Sequence, residues 1–136
     1  MLLVLDTNIY VFAFTPTIKP SCRSVISLFG ISPSEYQLRI PRAIVEEVRR
    51  NLVQNEFREF FAFISELTTI DEDFLVPFEL GVKYEIRGLK MADAFIAAYT
   101  EWVGADVLVT ENRHFLKHDR DLHFKVLTAA GCLKFI

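Results

Sequence analysis

The sequence predicts a single α/β domain over residues 1–136, a three-layer α/β/α sandwich around a short, mostly parallel sheet. Strand-like and helix-like segments alternate along the chain, which is typical of parallel βαβ units. Two of the strands, Leu2–Leu5 and Val107–Val109, are unbroken apolar runs, as expected for strands that helices cover on both faces. A length of 136 residues suits one domain with a substantial core.

The composition argues against several classes of protein. Apolar residues make up 51% of the chain and 13 are Phe, which disfavours disorder. No run reaches the roughly 18 apolar residues of a membrane span, and no basic segment precedes the first strand as in a signal peptide. Cys22 and Cys132 form neither a disulfide scaffold nor a metal-type cluster. We therefore expect free thiols in a cytoplasmic protein without a membrane span.

The first half of the chain predicts helices at 9–14 and 21–29, joined by a loop over 16–20. A strand at 36–41 then leads through Pro41 into a third helix, because proline suits the first turn of a helix. The inward residues of this helix recur at helical spacing: Ile44, Val45, Val48 and Leu52.

The helical pattern continues over 55–67, with an apolar stripe formed by Phe57, Phe60, Phe61 and Ile64. Phe63 lies off that stripe, and is either covered by another helix or placed at a contact with a partner chain. The first alternative is the more ordinary one. Together with a dimer in solution, we also expect Phe63 at or near the subunit or antitoxin contact.

The second half predicts a helix over 71–84, a turn at Gly88 and a helix from Met91 that Gly104 closes. The core face of the latter helix holds Phe95, Ile96, Tyr99 and Val103. Strands are predicted at 107–109, 124–127 and 132–135, the last two joined by a turn at Gly131.

Polar residues directly follow the first strand: Asp6, Thr7 and Asn8. Ligands of open α/β sheets bind at the carboxyl ends of strands, so Asp6 stands where chemistry is usually located. The alternative is that Asp6 only caps the helix that follows. The strand at 107–109 repeats the pattern, since Thr110, Glu111 and Asn112 come immediately after it.

Two further acids lie on helix rims. At about 100° per residue, Glu47 falls at the edge of the apolar face of its helix, and Asp93 lies in the first turn of another. The alternatives are a surface salt bridge for the first and a favourable helix-dipole interaction for the second. We assign Glu46, which points further toward solvent, to an ion pair with Arg50.

Asp6, Glu47 and Asp93 come from three elements that can face one cleft. Three adjacent carboxylates repel one another unless a cation neutralises them. Oxygen ligands without Cys or His favour Mg²⁺ or Mn²⁺ over Zn²⁺. Such an ion can activate water and stabilise charge on a phosphoryl oxygen.

These motifs resemble the PIN-domain nucleases, which include the VapC-type toxins of toxin–antitoxin pairs. The resemblance covers nearly the whole chain through four segments: 3–8, 40–48, 93–98, and 108–112 with Phe115. It implies a compact, mostly parallel sandwich, a homodimer, conserved acids at Asp6, Glu47 and Asp93, and a conserved hydroxyl at Thr110.

One position departs from the pattern. Many members of the family place a fourth acid two residues after the threonine, where this chain has Asn112. Asparagine can coordinate through its carbonyl oxygen or hold a metal-bound water without adding charge. We therefore predict a catalytic set of Asp6, Glu47, Asp93 and Asn112, with the metal on the three acids. Supporting roles are predicted for Thr7, Asn8 and Thr110.

Basic residues that can meet a phosphate backbone are Arg42, Lys90 and Arg113. Ordinary solvated charge is the alternative for each of them, and for the neighbouring His114. The net charge of −3 disfavours nucleic-acid binding through overall positive charge, but it is compatible with a nuclease that has a local basic rim.

The leading interpretation is a Mg²⁺- or Mn²⁺-dependent endoribonuclease acting on single-stranded RNA, the toxin of a pair whose cognate antitoxin neutralises it. One alternative is a PIN-fold nucleic-acid-binding or scaffold protein with a weakened site, which Asn112 motivates. Another is a phosphatase with Asp6 as nucleophile. That chemistry usually requires a second acid at the position that Asn8 occupies.

Overall fold

The computed structural model describes residues 1–16, 19–117 and 121–136, so the loop predicted over 16–20 lies partly outside the described residues. Its centre is a sheet of five strands: β1 (Leu2–Leu5), β2 (Gln37–Pro41), β3 (Ile70–Asp71), β4 (Val107–Val109) and β5 (Lys125–Leu127). The strand order is β3-β2-β1-β4-β5, and every described pair is parallel. The predicted α/β class with a parallel central sheet is therefore confirmed.

Eight α-helices surround the sheet in the described part of the chain: α1 (Thr7–Phe14), α2 (Pro20–Ile31), α3 (Arg42–Asn51), α4 (Gln54–Leu67), α5 (Phe78–Ile86), α6 (Met91–Trp102), α7 (Arg113–Lys117) and α8 (Ala129–Phe135). Helix α1 packs against α2, α3 and α4, while α2 also packs on α8 and α5 packs on α6. None of these helices is long and apolar enough to cross a membrane.

Strand β1 is the centre of the core and of the topology. Leu3, Val4 and Leu5 are completely buried, as the unbroken apolar run predicts. The strand pairs with β2 on one side and with β4 on the other, so the chain changes direction across the sheet here. The backbone N–H of Asp6 donates to Val109 O over 2.9 Å, which holds the ends of β1 and β4 side by side. Residues that follow these two strands consequently meet at one edge.

The prediction of a continuous helix over 71–84 is wrong. Residues Ile70–Asp71 instead form β3, which pairs with Ile40 and Pro41 of β2. A short 3-10 helix, Asp73–Leu75, follows, and α5 begins only after Pro77. Pairing across the sheet overrides the local helical pattern here, and the proline prevents a continuous helix.

The strand predicted at 132–135 is also wrong, because these residues belong to α8. A short apolar run cannot be assigned to strand or helix from periodicity alone. Thr128 caps the helix, accepting at Oγ1 from the backbone N–H of Gly131 over 2.9 Å. Gly131 therefore lies inside the first turn of a helix rather than in a turn between strands.

The aromatic stripe of α4 is rotated relative to the prediction. Phe60 and Ile64 are completely buried, but Phe61 keeps 40% of its surface exposed. Phe63 is partly buried against Phe14 and Phe29, with ring centroids 5.7 and 6.5 Å apart. Its ring is therefore part of the packing between α4, α1 and α2, which confirms that other helices cover it, while a subunit contact at Phe63 stays a prediction.

Three smaller outcomes concern charges, glycines and thiols. Glu46 Oε2 lies 3.7 Å from Arg49 Nε, so the partner of Glu46 is the residue directly before the predicted Arg50. Gly104 closes α6 with a positive φ of 71°, as its position predicts. Cys22 and Cys132 are both buried and unbridged, which confirms that the thiols are free.

Candidate functional site

A cleft of about 820 Å³ opens at the edge where the parallel strands end. Its polar side chains come from the end of β1, from α1, α3 and α6, and from the segments after β3 and β4: Asp6, Thr7, Asn8, Glu47, Asn51, Asp73, Asp93 and Asn112. The four residues predicted as the catalytic set thus lie along one cleft, and so do two of the three supporting residues.

Asp6 is the buried acid of the cleft, with 8% of its surface exposed. Its Oδ1 accepts from the backbone N–H of Thr7 over 2.8 Å, and its Oδ2 accepts from Thr110 Oγ1 over 2.7 Å. Burial raises the pKa of Asp6, and the charges of Asp93 and Glu47 raise it further, against the opposing effect of the two hydrogen bonds. Asp6 is also the N-cap of α1, so the capping role coexists with a place in the cleft.

Glu47 lies exposed on the rim, as the helical spacing predicts. Its Oε2 accepts from Thr7 Oγ1 over 3.1 Å. Thr7 therefore connects both acids, holding Asp6 through its backbone N–H and Glu47 through its hydroxyl. Asp93 faces them from the first turn of α6 and is half-buried.

The residues after β4 form a connected turn. Thr110 Oγ1 accepts from the backbone N–H of Asn112 over 3.0 Å while it donates to Asp6. Asn112 Oδ1 accepts from the backbone N–H of His114 over 2.9 Å, at the start of α7. The carbonyl oxygen of Asn112 thus accepts one bond from the backbone, and its side chain lines the cleft. Asn8 Oδ1 similarly accepts from the backbone N–H of Glu111 over 3.2 Å.

Asp73 is a fourth acid of the cleft that the sequence prediction missed. Its Oδ1 accepts from the backbone N–H of Ala43 over 3.0 Å, at the start of the helix that carries Glu47. The prediction placed Asp73 inside a helix, where nothing distinguishes it from a surface acid. The signal available in the sequence was the acidic run that follows Ile70, a position suited to capping and strand ends.

The predicted RNA-contact residues lie outside the cleft lining. The guanidinium of Arg42 is bound to Glu72, with Nη2 and Nε at 2.7 and 3.2 Å from Oε1. Lys90 and Arg113 are exposed at the starts of α6 and α7. His114 is likewise exposed. Arg42 therefore has an intramolecular partner that competes with any phosphate.

Comparison with known proteins bears on the fold. No protein-family model matches the chain, and no curated protein matches it either. Among solved structures it is similar to a chain in the crystal structure of VapBC2 from Rickettsia felis bound to a DNA fragment from their promoter. The match has a TM-score of 0.63 and covers 93% of this chain and 97% of that one. The chain has a PIN-like fold. Sequence identity is 20%, so the similarity establishes the fold alone.

The donor chemistry of this PIN-like cleft can be tested against a divalent cation. Four carboxylates line it, and no Lys, Arg or His among the described residues does. Within the same described residues, no three His, Cys, Asp or Glu side chains are grouped closely enough to form a ready-made ion site. Mg²⁺ usually keeps several waters and binds through one or two carboxylates. The residues present therefore fit a partly hydrated Mg²⁺ or Mn²⁺ rather than an ion enclosed by protein ligands.

Proposed function

We propose that the chain is a cytoplasmic Mg²⁺- or Mn²⁺-dependent endoribonuclease that hydrolyses phosphodiester bonds of single-stranded RNA, and the toxin of a toxin–antitoxin pair. The observation that carries the proposal is the shared cleft of Asp6, Glu47 and Asp93 at the carboxyl edge of the sheet. The PIN-like fold supports it, because acids at these positions are the feature on which the resemblance to PIN-domain nucleases rests.

In this proposal Asp6 is the main metal ligand, since it is buried and oriented by Thr7 and Thr110. Glu47 on α3 and Asp93 on α6 would help to hold the ion. A divalent cation held there would supply activation of a water and stabilisation of charge on a phosphoryl oxygen. Thr7 and Thr110 limit the rotation of the carboxylates, and the amide of Asn112 contributes a hydrogen bond without adding charge.

The proposed partners are a cognate antitoxin and a second copy of the chain. The Rickettsia felis neighbour was solved as the VapBC2 complex on a promoter fragment, which supports a partner protein for this chain. An apolar surface suits the homodimer contact. It consists of side chains of the 3-10 helix and α5, and we call it the α5 surface: Phe74 (83% exposed), Leu75 (47%), Phe78 (81%) and Ile86 (80%). Exposed apolar patches on monomers often mark protein contacts.

Cleavage of a labelled single-stranded RNA tests the proposal. We expect cleavage to require Mg²⁺ or Mn²⁺, to stop with a chelator and to resume when the metal is restored. Asp6→Asn keeps the shape of the side chain but removes its charge, so cleavage should fall by more than about 100-fold. Even groups behind the ligands of metal sites typically account for 10–100-fold effects.

Glu59→Gln is the matched control, because Glu59 is an exposed acid on α4 outside the cleft lining. It should cleave like the wild type. Undiminished cleavage by a folded Asp6→Asn variant, or cleavage that persists in chelator, would refute the proposed site.

A second candidate is a PIN-fold nucleic-acid-binding or scaffold protein with a weakened site. Asn112 favours it, because many PIN-domain nucleases have a fourth acid at this position. This candidate predicts RNA binding without cleavage at every Mn²⁺ concentration, and an Asp6→Asn variant that binds RNA like the wild type.

A further inference from the structure

The cleft has an apolar half that metal and phosphate chemistry does not require. Besides the acids, the lining holds apolar side chains: α1 contributes Val11 and Phe12, and α6 contributes Met91, Ala92, Phe95 and Ile96. Phe12 and Phe95 pack on the core with part of each ring and keep the rest accessible. Two aromatic rings therefore face the same space as the carboxylates, from helices on either side of it.

A cation accompanies one of these rings. Lys19 at the start of α2 is exposed, and its Nζ lies 4.9 Å from the ring centroid of Phe12. An ammonium group this close to an aromatic face is in the range of a cation–π interaction. The lysine therefore places a positive charge beside a ring that lines the cleft, whereas the charged side chains of the lining itself are acidic.

Amide side chains provide the remaining polar contacts of this space. Asn8 and Asn112 both line the cleft, and the carbonyl oxygen of each accepts from a backbone N–H group. Each side chain also carries an amide nitrogen that can donate. Nucleobases combine flat aromatic faces with ring nitrogens and carbonyl oxygens that accept such donors. An aromatic wall, an amide donor and a nearby cation are together the features that bind one nucleotide of a single strand.

We propose that Phe12, Phe95 and Lys19 form a subsite for one unpaired nucleobase and its flanking phosphate, beside the acidic half of the cleft. The proposal deepens the nuclease function and rests on it for the identity of the ligand as RNA. The base is unpaired, because the faces and edges of a base in a duplex are not available for stacking on a side chain. The subsite therefore selects single strands and positions the neighbouring phosphodiester toward Asp6.

The test measures binding separately from cleavage. Asp6→Asn protein is titrated into a short single-stranded RNA that contains one fluorescent adenine analogue, whose emission is quenched by stacking. Phe12→Leu in this background retains apolar volume but removes the aromatic face. We expect it to weaken binding about tenfold and to abolish most of the quenching, in the range reported for stacking on protein aromatics.

Two further variants complete the design. Lys19→Gln alters an exposed side chain, so we expect it to leave folding intact. It should weaken RNA binding and reduce the slope of the logarithm of affinity against the logarithm of salt concentration by about one. Phe61→Leu changes an exposed aromatic on α4 outside the cleft lining and should behave like the Asp6→Asn parent. The same RNA annealed to its complement should show little quenching.

Unchanged quenching and affinity in Phe12→Leu and Lys19→Gln would overturn the subsite. Equal binding of duplex and single strand would also overturn it. Absence of quenching in the Asp6→Asn parent would overturn it as well, and would make a peptide segment the better candidate ligand for the apolar side chains of the cleft. The two proposals fail differently. Phe12-dependent quenching with a wild type that never cleaves RNA refutes the nuclease alone. Metal-dependent cleavage whose KM is unaffected by Phe12→Leu refutes the subsite alone.

Discussion

At the scale of single residues, Asn112 both caps a helix and lines the cleft. Its carbonyl oxygen accepts from the N–H of His114, and its side chain lines the cleft. In Asn112→Asp a carboxylate oxygen retains the cap, since aspartate caps helices as well as asparagine does. The second oxygen adds negative charge to the cleft. We expect Mn²⁺ to bind about tenfold more tightly, as calorimetry would measure, and cleavage to accelerate. An unchanged affinity and rate would show that this position does not contact the ion.

Asp71 illustrates how a buried acid makes stability depend on pH. It accepts two hydrogen bonds from Arg39, each 2.9 Å long, and one from the hydroxyl of Tyr99. Burial alone raises the pKa of Asp71, but the bonds from Arg39 and Tyr99 outweigh it, and the net pKa lies below the usual range. A folded-state pKa below the unfolded value stabilises the fold above the unfolded pKa. That contribution is lost as pH falls through the folded pKa.

We therefore predict that Asp71→Asn lowers the free energy of unfolding by about 2 kcal/mol at neutral pH, because bonds to a charged group are lost. Urea unfolding of both proteins at decreasing pH should show the difference shrinking once Asp71 of the wild type is protonated. Glu79 on α5 is exposed, so Glu79→Gln is a control whose stability should not differ from that of the wild type in a pH-dependent way. If the difference in free energy of unfolding between the wild type and Asp71→Asn stays constant into strong acid, the charge of Asp71 is not its cause.

At the scale of elements, three consecutive acids connect β3 and the 3-10 helix to β2 and α3. Asp71 binds Arg39, Glu72 binds Arg42, and Asp73 caps the N-terminus of α3 at Ala43. Because α3 carries Glu47, this connection holds one acid of the cleft in place and brings Asp73 to it. The edge strand of only two residues is thereby fixed by side chains as well as by its backbone pairing.

Removal of the cap should loosen this connection locally. Asp73→Ala is expected to cost about 1 kcal/mol, the usual effect of losing an N-terminal capping side chain. Amide exchange at Ala43 should accelerate, because its N–H loses the bond to Asp73. Glu72→Gln is the control, since both partners of its ion pair with Arg42 are exposed to solvent and the pair should contribute little to stability. Unaltered exchange at Ala43 would contradict the capping role.

The elements also show which parts of the fold a sequence can predict. Strands β1 and β4 are predictable, because unbroken apolar runs followed by polar residues carry their own signal. Strand β3 is not, because its two residues are defined by pairing with Ile40 and Pro41. The partners of Asp71 are 32 and 28 residues away, beyond any local window.

The residues of the cleft likewise separate into those that the sequence can predict and one that it cannot. The positions of Asp6, Glu47 and Asp93 follow from strand ends and helical spacing, whereas Asp73 enters the cleft only through the missed strand.

At the scale of the whole molecule, the exposure of its aromatic residues is the basis for the proposed homodimer contact. Phe63 lies among Phe14 and Phe29 and contributes to the core, whereas Phe78 is 81% exposed on the α5 surface. Truncation of an aromatic at an interface costs about 2 kcal/mol or more, which corresponds to roughly a 30-fold weaker dimer. Phe78→Ser should therefore shift a dimer toward monomer and leave the unfolding temperature of the monomer nearly unchanged.

Phe63→Ser should do the opposite, lowering folding stability by about 2 kcal/mol at every protein concentration, because it removes part of a packed cluster. Sedimentation velocity over a range of concentrations, combined with thermal unfolding, separates the two effects. Phe61→Ser serves as the control, since this ring is 40% exposed on α4 and is not part of the α5 surface. A wild type that remains monomeric at high concentration would remove the homodimer from the proposed function. A dimer that Phe78→Ser does not weaken would place the contact on another surface, because the exposed ring would then contribute nothing to association.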